Sequence, residues 1–186
     1  MRIRRGGGNE QSIDPVETAS LMRIGFISEH YPPIDGGVAT STQRLARTLV
    51  SKGVDVQVFC FDPSCPVTSP DYLVQEVDEG VSVTRVGPFF TKQPSRSETI
   101  SEKSRATLRR RAFDQIIRVI RPWSPDLILS YYLLNAGFLA NFVARELGIP
   151  HLAGVRGNDI GRNMFNVERF AVIQWIVGSA QRLVCV

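Results

Sequence analysis

Short apolar runs alternate with helical segments along most of this chain, and this alternation limits the folds that it can adopt. The runs are continuously apolar rather than alternating, which is typical of strands buried on both faces of a parallel sheet. We predict buried strands at residues 22–28, 54–61, 81–86, 126–131, 151–155 and 182–186. Such strands, separated by helices, indicate right-handed β-α-β units. The expected fold class is α/β, with a doubly wound, mostly parallel Rossmann-like sheet and helices on both faces.

The segments between these strands carry helix start and stop signals. We predict helices at residues 38–51, 98–121, 135–147 and 166–180. The first helix ends before Gly53, and the second is stopped by Pro122. Asn135 is the expected N-cap of the third helix, and Gly148 marks its end.

The composition fits a globular domain and excludes several other classes. Of the 186 residues, 43% are hydrophobic and 22% are charged, which is typical of a globular chain rather than a disordered or collagen-like one. The apolar stretches are far shorter than the roughly 20 residues needed to span a bilayer. The cysteine count of 3 is odd and lacks metal-ligand spacing, and no secretory signal precedes these cysteines. We therefore expect a cytoplasmic protein.

The two ends of the chain predict the domain boundaries. Residues 1–21 lack an apolar period, so we interpret them as a flexible N-terminal arm. Residues 22–186 then form one Rossmann-like domain. Because natural domains seldom finish on an uncovered apolar strand, we expect the chain to be truncated before a further, C-terminal domain.

A pair of glycines, Gly36 and Gly37, lies between the first strand and the first helix. The first amides of a helix have no intrahelical partner, and the helix dipole places partial positive charge there. Glycines let an anion approach this backbone, so the turn suits a phosphate. Alternatively, Asp35 and the two glycines only form the turn that starts the helix.

Polar and aromatic side chains follow three of the predicted strands. Because ligands of open α/β sheets bind beyond the carboxyl ends of the strands, we expect these side chains to converge. The candidates are His30 after the first strand, Tyr131 and Asn135 after the fourth, and Arg156, Asn158 and Asp159 after the fifth. Arg156 suits a phosphate or carboxylate, while Asn158 and Asp159 suit sugar hydroxyls. In a second interpretation, Asn158 and Asp159 only form a turn and cap the following segment.

Two nucleotide-binding classes fit the sequence poorly. Asp62 follows the second strand, where a dehydrogenase would place its ribose-binding acid, but the G-x-G-x-x-G fingerprint is absent. The Gly-Lys-Ser/Thr of a P-loop is also absent. A nicotinamide oxidoreductase is therefore a weaker hypothesis than another Rossmann-like function.

The predicted helix at residues 98–121 is both basic and amphipathic. Its basic residues are Lys103, Arg105, Arg109, Arg110, Arg111, Arg118 and Arg121. Such a helix either lies peripherally on an anionic membrane, here the inner face, or presents an ordinary solvated surface. We do not expect a nucleic acid as partner, because no recognised motif and few aromatic residues accompany the charges.

Four segments together resemble a known family. They are residues 31–38 (YPPIDGGV), 125–128 (PDLI), 148–150 (GIP) and 156–159 (RGND). This pattern resembles the N-terminal domain of GT-B glycosyltransferases of the retaining group 1, or glycogen-synthase-like, class. The resemblance covers nearly all of residues 22–186, and the Pro-Pro-x-x-Gly-Gly loop is its most specific part.

The resemblance implies an enzyme with two Rossmann-like domains and a cleft between them. The N-terminal domain would bind a glycan or lipid-linked acceptor, and the C-terminal domain a nucleotide-diphosphate sugar donor. Gly36 and Gly37 would approach the donor diphosphate, with acceptor or sugar contacts from the loops that follow the three strands. Transfer would retain the anomeric configuration and need no cofactor or metal.

The chain also departs from the family pattern. Many relatives carry a histidine where this chain has Arg156, so no catalytic residue is assigned. The Glu-x7-Glu motif of the C-terminal domain is absent, so this fragment alone is expected to be inactive. The alternative function is that of a non-catalytic Rossmann-like module that binds a nucleotide or a protein partner.

Overall fold

A computed structural model describes residues 21–62, 64–89, 101–161 and 163–185, without the side chains of Glu102 and Asn158. The strands are β1 (Arg23–Ser28), β2 (Asp55–Phe61), β3 (Tyr72–Asp78), β4 (Val81–Gly87), β5 (Leu127–Tyr131), β6 (His151–Val155) and β7 (Arg182–Cys185). The helices are α1 (Gly37–Ser51), α2 (Glu102–Trp123), α3 (Phe138–Leu147), α4 (Gly157–Gly161) and α5 (Val167–Ser179), with a π-helical turn at Leu133–Gly137. The predicted N-terminal arm, apart from Leu21, lies outside the described residues.

The strands form one seven-stranded sheet in the order β3-β4-β2-β1-β5-β6-β7. All neighbours pair in parallel except β3 and β4. The chain leaves β1 toward β2 on one side and later returns to pair β5 on the other side, so the strand order reverses at β1. Ser28 at the end of β1 lies beside Tyr131 at the end of β5. The doubly wound Rossmann-like fold is therefore confirmed.

Helices cover both faces of the sheet, as predicted. On one face, Ala46 of α1 packs with Phe26 and Val58. On the other face, α2 and α3 pack against residues such as Ile27 and Ile128. The faces alternate along each strand because successive side chains point in opposite directions.

Strand β3 is absent from the sequence prediction. It forms an antiparallel hairpin with β4 through a two-residue turn at Glu79 and Gly80. Both turn residues have positive φ, 46° and 85°, which is the geometry of a type I′ hairpin turn. The strand lacks a buried apolar run because it lies at the edge of the sheet, and none of its residues is fully buried.

The end of α2 and the start of α3 differ from the prediction. Helix α2 also begins at Glu102 rather than at residue 98, and residues 98–100 lie outside the described residues. Helix α2 continues through Pro122 and ends at Trp123. Its C-cap is Ser124, whose φ of 54° is left-handed and whose N–H donates to the Ile120 and Arg121 carbonyls. Prediction of a stop at Pro122 was wrong because a proline in the last turn removes only one helix bond. Asn135 does not cap α3, since the chain first makes the π-helical turn and α3 begins at Phe138.

Three arginines of α2 are paired with acidic neighbours. Arg110 contacts Asp114, Arg111 contacts Asp71 at 2.6 Å, and Arg121 contacts Glu146 at 2.5 Å. These pairs favour the solvated-surface interpretation, while membrane contact stays a prediction. Among the described helices, none has the length and apolar character to cross a membrane.

The last predicted strand forms, but it is not buried. Among the described strands, β7 pairs with β6 alone, and all four residues of β7 are exposed. The apolar run at residues 182–186 was therefore read wrongly as a core strand, and Val186 itself lies outside the described residues.

A single carboxylate, Asp78, ties the first helix and the loop after β1 to the edge of the sheet. Its oxygens accept hydrogen bonds from the Tyr31 hydroxyl at 2.6 Å, Gln43 Nε2 at 2.9 Å and Arg47 Nη2 at 2.5 Å. The Arg47 guanidinium and these other donors lower the pKa of Asp78 from 3.8 to about 2. Because Tyr31 precedes the glycine turn and Gln43 and Arg47 follow it, Asp78 fixes the turn from both sides.

A buried arginine, Arg85 of β4, holds the same loop. It donates to the carbonyl oxygen of Pro32 and to Glu76 Oε1. Its other terminal nitrogen lies 3.6 Å from the Cys60 sulfur. Burial raises the pKa of the Cys60 thiol to about 12, so this cysteine stays protonated and unreactive.

Replacing Asp78 by Asn should lower the free energy of unfolding at neutral pH by about 2 kcal/mol, because the three donors lose a charged acceptor. A carboxylate with a lowered pKa stabilises the fold above its unfolded pKa and loses that contribution as the pH falls toward its folded pKa. The deficit of Asp78→Asn should therefore be constant above pH 4 and vanish near pH 2. Urea unfolding at a series of pH values measures it.

The matched control is Asp114→Asn, which removes an exposed ion pair on α2. Exposed pairs contribute little, so this variant should stay within about 0.5 kcal/mol of the parent protein. A deficit for Asp78→Asn that does not change between pH 4 and pH 2 would contradict the ionic role of Asp78.

Candidate functional site

The N-terminus of α1 is open toward solvent. Gly36 is its N-cap with φ 142°, a backbone conformation that favours glycine. Among the described residues no side chain caps this end, and no acidic residue lies in its first turn. Cβ atoms built on Gly36 or Gly37 would meet no atom within 4 Å. The helix amides are therefore accessible to a ligand, as the glycine turn predicts.

A pocket of about 350 Å³ lies against this helix end. Its lining residues are Gly37, Val38, Tyr132, Arg156 and Gly157. These residues come from the first turn of α1 and from the segments that follow β5 and β6, so the reversal of strand order brings them together. The structure thus brings Gly37 and Arg156 together in one pocket, and their roles stay predictions.

The Arg156 side chain is held in place from two sides. Its guanidinium carbon lies 4.4 Å from the centre of the Tyr131 ring, and Nη2 donates to the Ser41 hydroxyl of α1. Its Nε is buried and has no hydrogen-bond partner among the described residues. A positive charge is thus fixed beside the first turn of α1. The Arg156 Nε–H group remains able to donate a hydrogen bond to a ligand.

Gly154 makes room for the ring that supports Arg156. It pairs with Tyr131 across β5 and β6, and a Cβ atom there would lie 2.5 Å from the Tyr131 ring. The ring is only 7% exposed and contacts Phe26 edge-on at 4.9 Å. Tyr131 therefore lies beneath Arg156, and the next residue, Tyr132, lines the pocket instead.

The turn after β5 has an unusual backbone. Tyr132 has φ 69°, which is uncommon for a bulky residue, and it leads into the π-helical turn. Gly137 N–H donates to the Tyr132 carbonyl at 2.8 Å. Such backbone outliers and π-helical turns concentrate at functional sites.

Asp159 fastens this turn to the loop after β6. It is 2% exposed, and its two oxygens accept from the Leu133 amide at 3.1 Å and the Arg156 amide at 2.9 Å. Burial raises its pKa, although both backbone bonds act in the opposite direction. The structure thus favours a turn-forming role for Asp159, and its contact with a sugar hydroxyl stays a prediction.

Glu29, which the sequence analysis did not consider, lies close to Asn135 and Asp159. It follows β1 directly and its side chain is hydrogen-bonded to Asn135. Burial raises the pKa of Glu29 from 4.5 to about 7, and the nearby charge of Asp159 acts in the same direction. The sequence does contain a signal for Glu29. It is an acidic residue immediately after a buried strand, at the edge of the sheet that carries the glycine turn.

The remaining predicted residues lie around the pocket rather than in its lining. His30 is half-buried, and its carbonyl accepts from the Ser28 hydroxyl at 3.2 Å. Asn135 is half-buried in the π-helical turn. Asn158 belongs to α4, and its side chain lies outside the described structure. In the part of the chain that is described, no group of three or more His, Cys, Asp or Glu side chains is placed to hold a metal.

Solved structures with low sequence identity share the fold of this chain. A trehalose-6-phosphate structure from E. coli bound with UDP-2-fluoro glucose has a TM-score of 0.53 at 11% identity, covering 87% of this chain and 39% of that one. An alpha,alpha-trehalose-phosphate synthase (UDP-forming) from Burkholderia vietnamiensis has a TM-score of 0.51 at 12% identity, covering 85% and 37%. The chain thus spans less than two fifths of the length of these structures. No curated protein matches it.

A family model, the glycosyl transferase 4-like domain, matches residues 36–186. The match begins at the glycine turn and includes all the strands that meet at the pocket except β1. This chain therefore belongs to the glycosyl transferase 4-like family and has the Rossmann-like fold of a GT-B N-terminal domain.

Proposed function

We propose that this chain is the acceptor-side half of a retaining glycosyltransferase that moves a sugar from a nucleotide-diphosphate donor to a glycan or lipid-linked acceptor. The observation that carries the proposal is the open N-terminus of α1, which shares a pocket with the Arg156 guanidinium. Family membership supports sugar transfer as the reaction. The E. coli structure, which is bound with a UDP-sugar analogue, supports a nucleotide sugar as donor.

Positive charge in the pocket suits a diphosphate. The amides of a 15-residue helix and a fixed guanidinium both favour an anion. Among the described residues that line the pocket there is no carboxylate, the ligand type that would hold a divalent metal beside phosphates. We therefore propose that amides and Arg156 offset the donor charge without a metal. A second domain across the cleft would supply the remaining donor contacts.

The acceptor would lie on the side of the pocket formed by Tyr132. Glu29 and Asn135 are next to this side. Burial raises the pKa of Tyr132, and the charge of Glu29 acts in the same direction. A carboxyl that titrates near neutral pH can hold or release a proton of an acceptor hydroxyl. We propose contacts from His30 and Asn135 to the acceptor on the same side.

Replacing Gly37 by Val in the full-length protein should reduce sugar transfer by about 100-fold, as for the loss of a backbone donor to a charged group. The added side chain meets no atom of the chain within 4 Å, so the fold should be kept while the diphosphate is held off the amides. The measurement is the rate of sugar release from a nucleotide-diphosphate donor, with the anomeric configuration of the product determined by NMR.

The matched control is Gly178→Val in α5, where an added Cβ also meets nothing within 4 Å. This variant should transfer sugar at the parental rate. Equal rates for both variants would remove the glycine turn from the donor site. An inverted product would overturn the proposed retention while leaving the transferase assignment in place.

Replacing Glu29 by Gln should make the protein more stable above pH 7. A carboxyl whose folded pKa is raised binds more protons in the folded state, so its contribution to stability is lost as the pH rises from 4.5 through about 7. The neutral amide avoids this loss. The melting temperature should exceed that of the parent by about 2–4 °C for each kcal/mol gained at pH 8, with little difference at pH 4.

The same variant separates structure from chemistry. If Glu29 exchanges a proton with the acceptor, the pH profile of kcat/KM loses its inflection near pH 7 in Glu29→Gln. An unchanged profile would restrict Glu29 to holding Asn135 in place.

A further inference from the structure

The free edge of the sheet points to self-association of this chain. We propose that β3 pairs antiparallel with β3 of a second copy, about a two-fold axis at Gln75. The partner is thus a second molecule of the same protein, and the contact is independent of the pocket and of the function proposed above.

Among the residues that the structure describes, strand β3 is hydrogen-bonded on one side only. It is the terminal strand of the sheet and pairs with β4 alone in this part of the chain. In an antiparallel ladder, alternate residues turn their backbone N–H and C=O groups away from the partner strand. Because Asp78 and Val81 flank the two-residue turn and form the first bonded pair, the residues that face outward are Leu73, Gln75 and Val77.

The usual protection of such an edge is missing here. Edge strands commonly carry a lysine, a proline or a bulge that prevents pairing with other chains. The seven residues of β3, YLVQEVD, include neither Lys nor Pro, and the register with β4 runs without interruption. Leu73, Val74 and Val77 are instead apolar and 37%, 38% and 75% exposed.

The sequence of β3 is complementary to itself when read in the opposite direction. With Gln75 opposite the partner's Gln75, Leu73 lies opposite the partner's Val77 on the same face of the sheet. This register pairs apolar side chains and lets the two amides hydrogen-bond, and such cross-strand pairs stabilise a sheet. On the other face, Tyr72 meets the partner's Asp78 and Val74 meets the partner's Glu76. Moving the two-fold axis from Gln75 to Glu76 would instead place Glu76 opposite the partner's Glu76, and like charges directly opposite each other destabilise a sheet.

The acidic residues near this edge are already neutralised within the chain. Glu76 contacts Arg85 at 2.5 Å, and Asp78 and Glu79 contact Arg47 at 2.5 Å and 2.9 Å. These arginines lie on β4 and α1, away from the free edge. Repulsion between two acidic strands is therefore reduced, and the edge can approach its own copy.

The size of the contact predicts a weak dimer. Seven paired residues span only about 24 Å, so the interface falls below the size of a stable complex, which buries about 1,200–2,000 Å². We therefore expect a concentration-dependent equilibrium between monomer and dimer rather than a permanent complex.

Sedimentation velocity of the complete chain over a series of concentrations tests the proposal. The parent should shift from monomer to dimer, and Val77→Lys should weaken the dimer at least about tenfold because a charge faces the partner's Leu73. Val167→Lys is the control, since Val167 is 85% exposed on α5, far along the sheet order from β3. Monomers at every concentration, or equal weakening by both substitutions, would overturn the proposal.

Disulfide capture tests the register independently. Bonded antiparallel residues have Cα atoms about 5.5 Å apart, within the range of a disulfide. In a background with Cys65 and Cys185 changed to Ser, Gln75→Cys should form a dimer under mild oxidation. Glu79→Cys, on the exposed turn, lies far from its own copy in this register and should not. Equal capture of both cysteines, or of neither, would contradict pairing about Gln75.

Discussion

Reversal of the strand order at β1 is the constraint on which the rest of the site depends. Because β2 and β5 lie on opposite sides of β1, the loops after β1 and β5 diverge and leave a space between them. The loop after β6 closes this space from the far side. A glycine turn at position 36 and an arginine at position 156 thus meet although most of the chain separates them.

Hydrogen bonds to charged side chains fix the geometry of the loop that borders this space. The loop after β1 would otherwise be a free connection, but Asp78 and Arg85 hold it at Tyr31 and at the Pro32 carbonyl. Both anchors belong to the β3–β4 hairpin. An element at the edge of the sheet therefore positions the first turn of α1, and mutations in the hairpin act on the pocket without touching it.

The features that could be predicted from the sequence are those encoded by local pattern. Continuous apolar runs marked the parallel strands, and Gly148 marked the end of α3 with φ 69°. Strand β3 was missed because an exposed edge strand shows no apolar run. The π-helical turn was missed because the Tyr132 conformation depends on Asp159, 27 positions later, which accepts from the Leu133 amide.

In the candidate site, too, local sequence pattern predicts some residues, whereas others depend on tertiary packing. Gly36, Gly37 and Arg156 could be predicted as site residues because residue type and strand position together suggest an anion site, and the structure places Gly37 and Arg156 in one pocket lining. Glu29 was missed because its distinctive property is the burial that raises its pKa, and burial depends on packing across three loops. Tyr132, rather than Tyr131, lies in the pocket lining, and its positive φ could not be predicted from the sequence.

The placement of Arg156 has a consequence for the thermodynamics of ligand capture. A free arginine side chain loses about 2 kcal/mol of rotamer entropy when a ligand immobilises it. Here the Tyr131 ring and the Ser41 hydroxyl have already selected one conformation before any ligand arrives. An incoming anion then meets a preorganised guanidinium, so more of the electrostatic attraction is available as affinity.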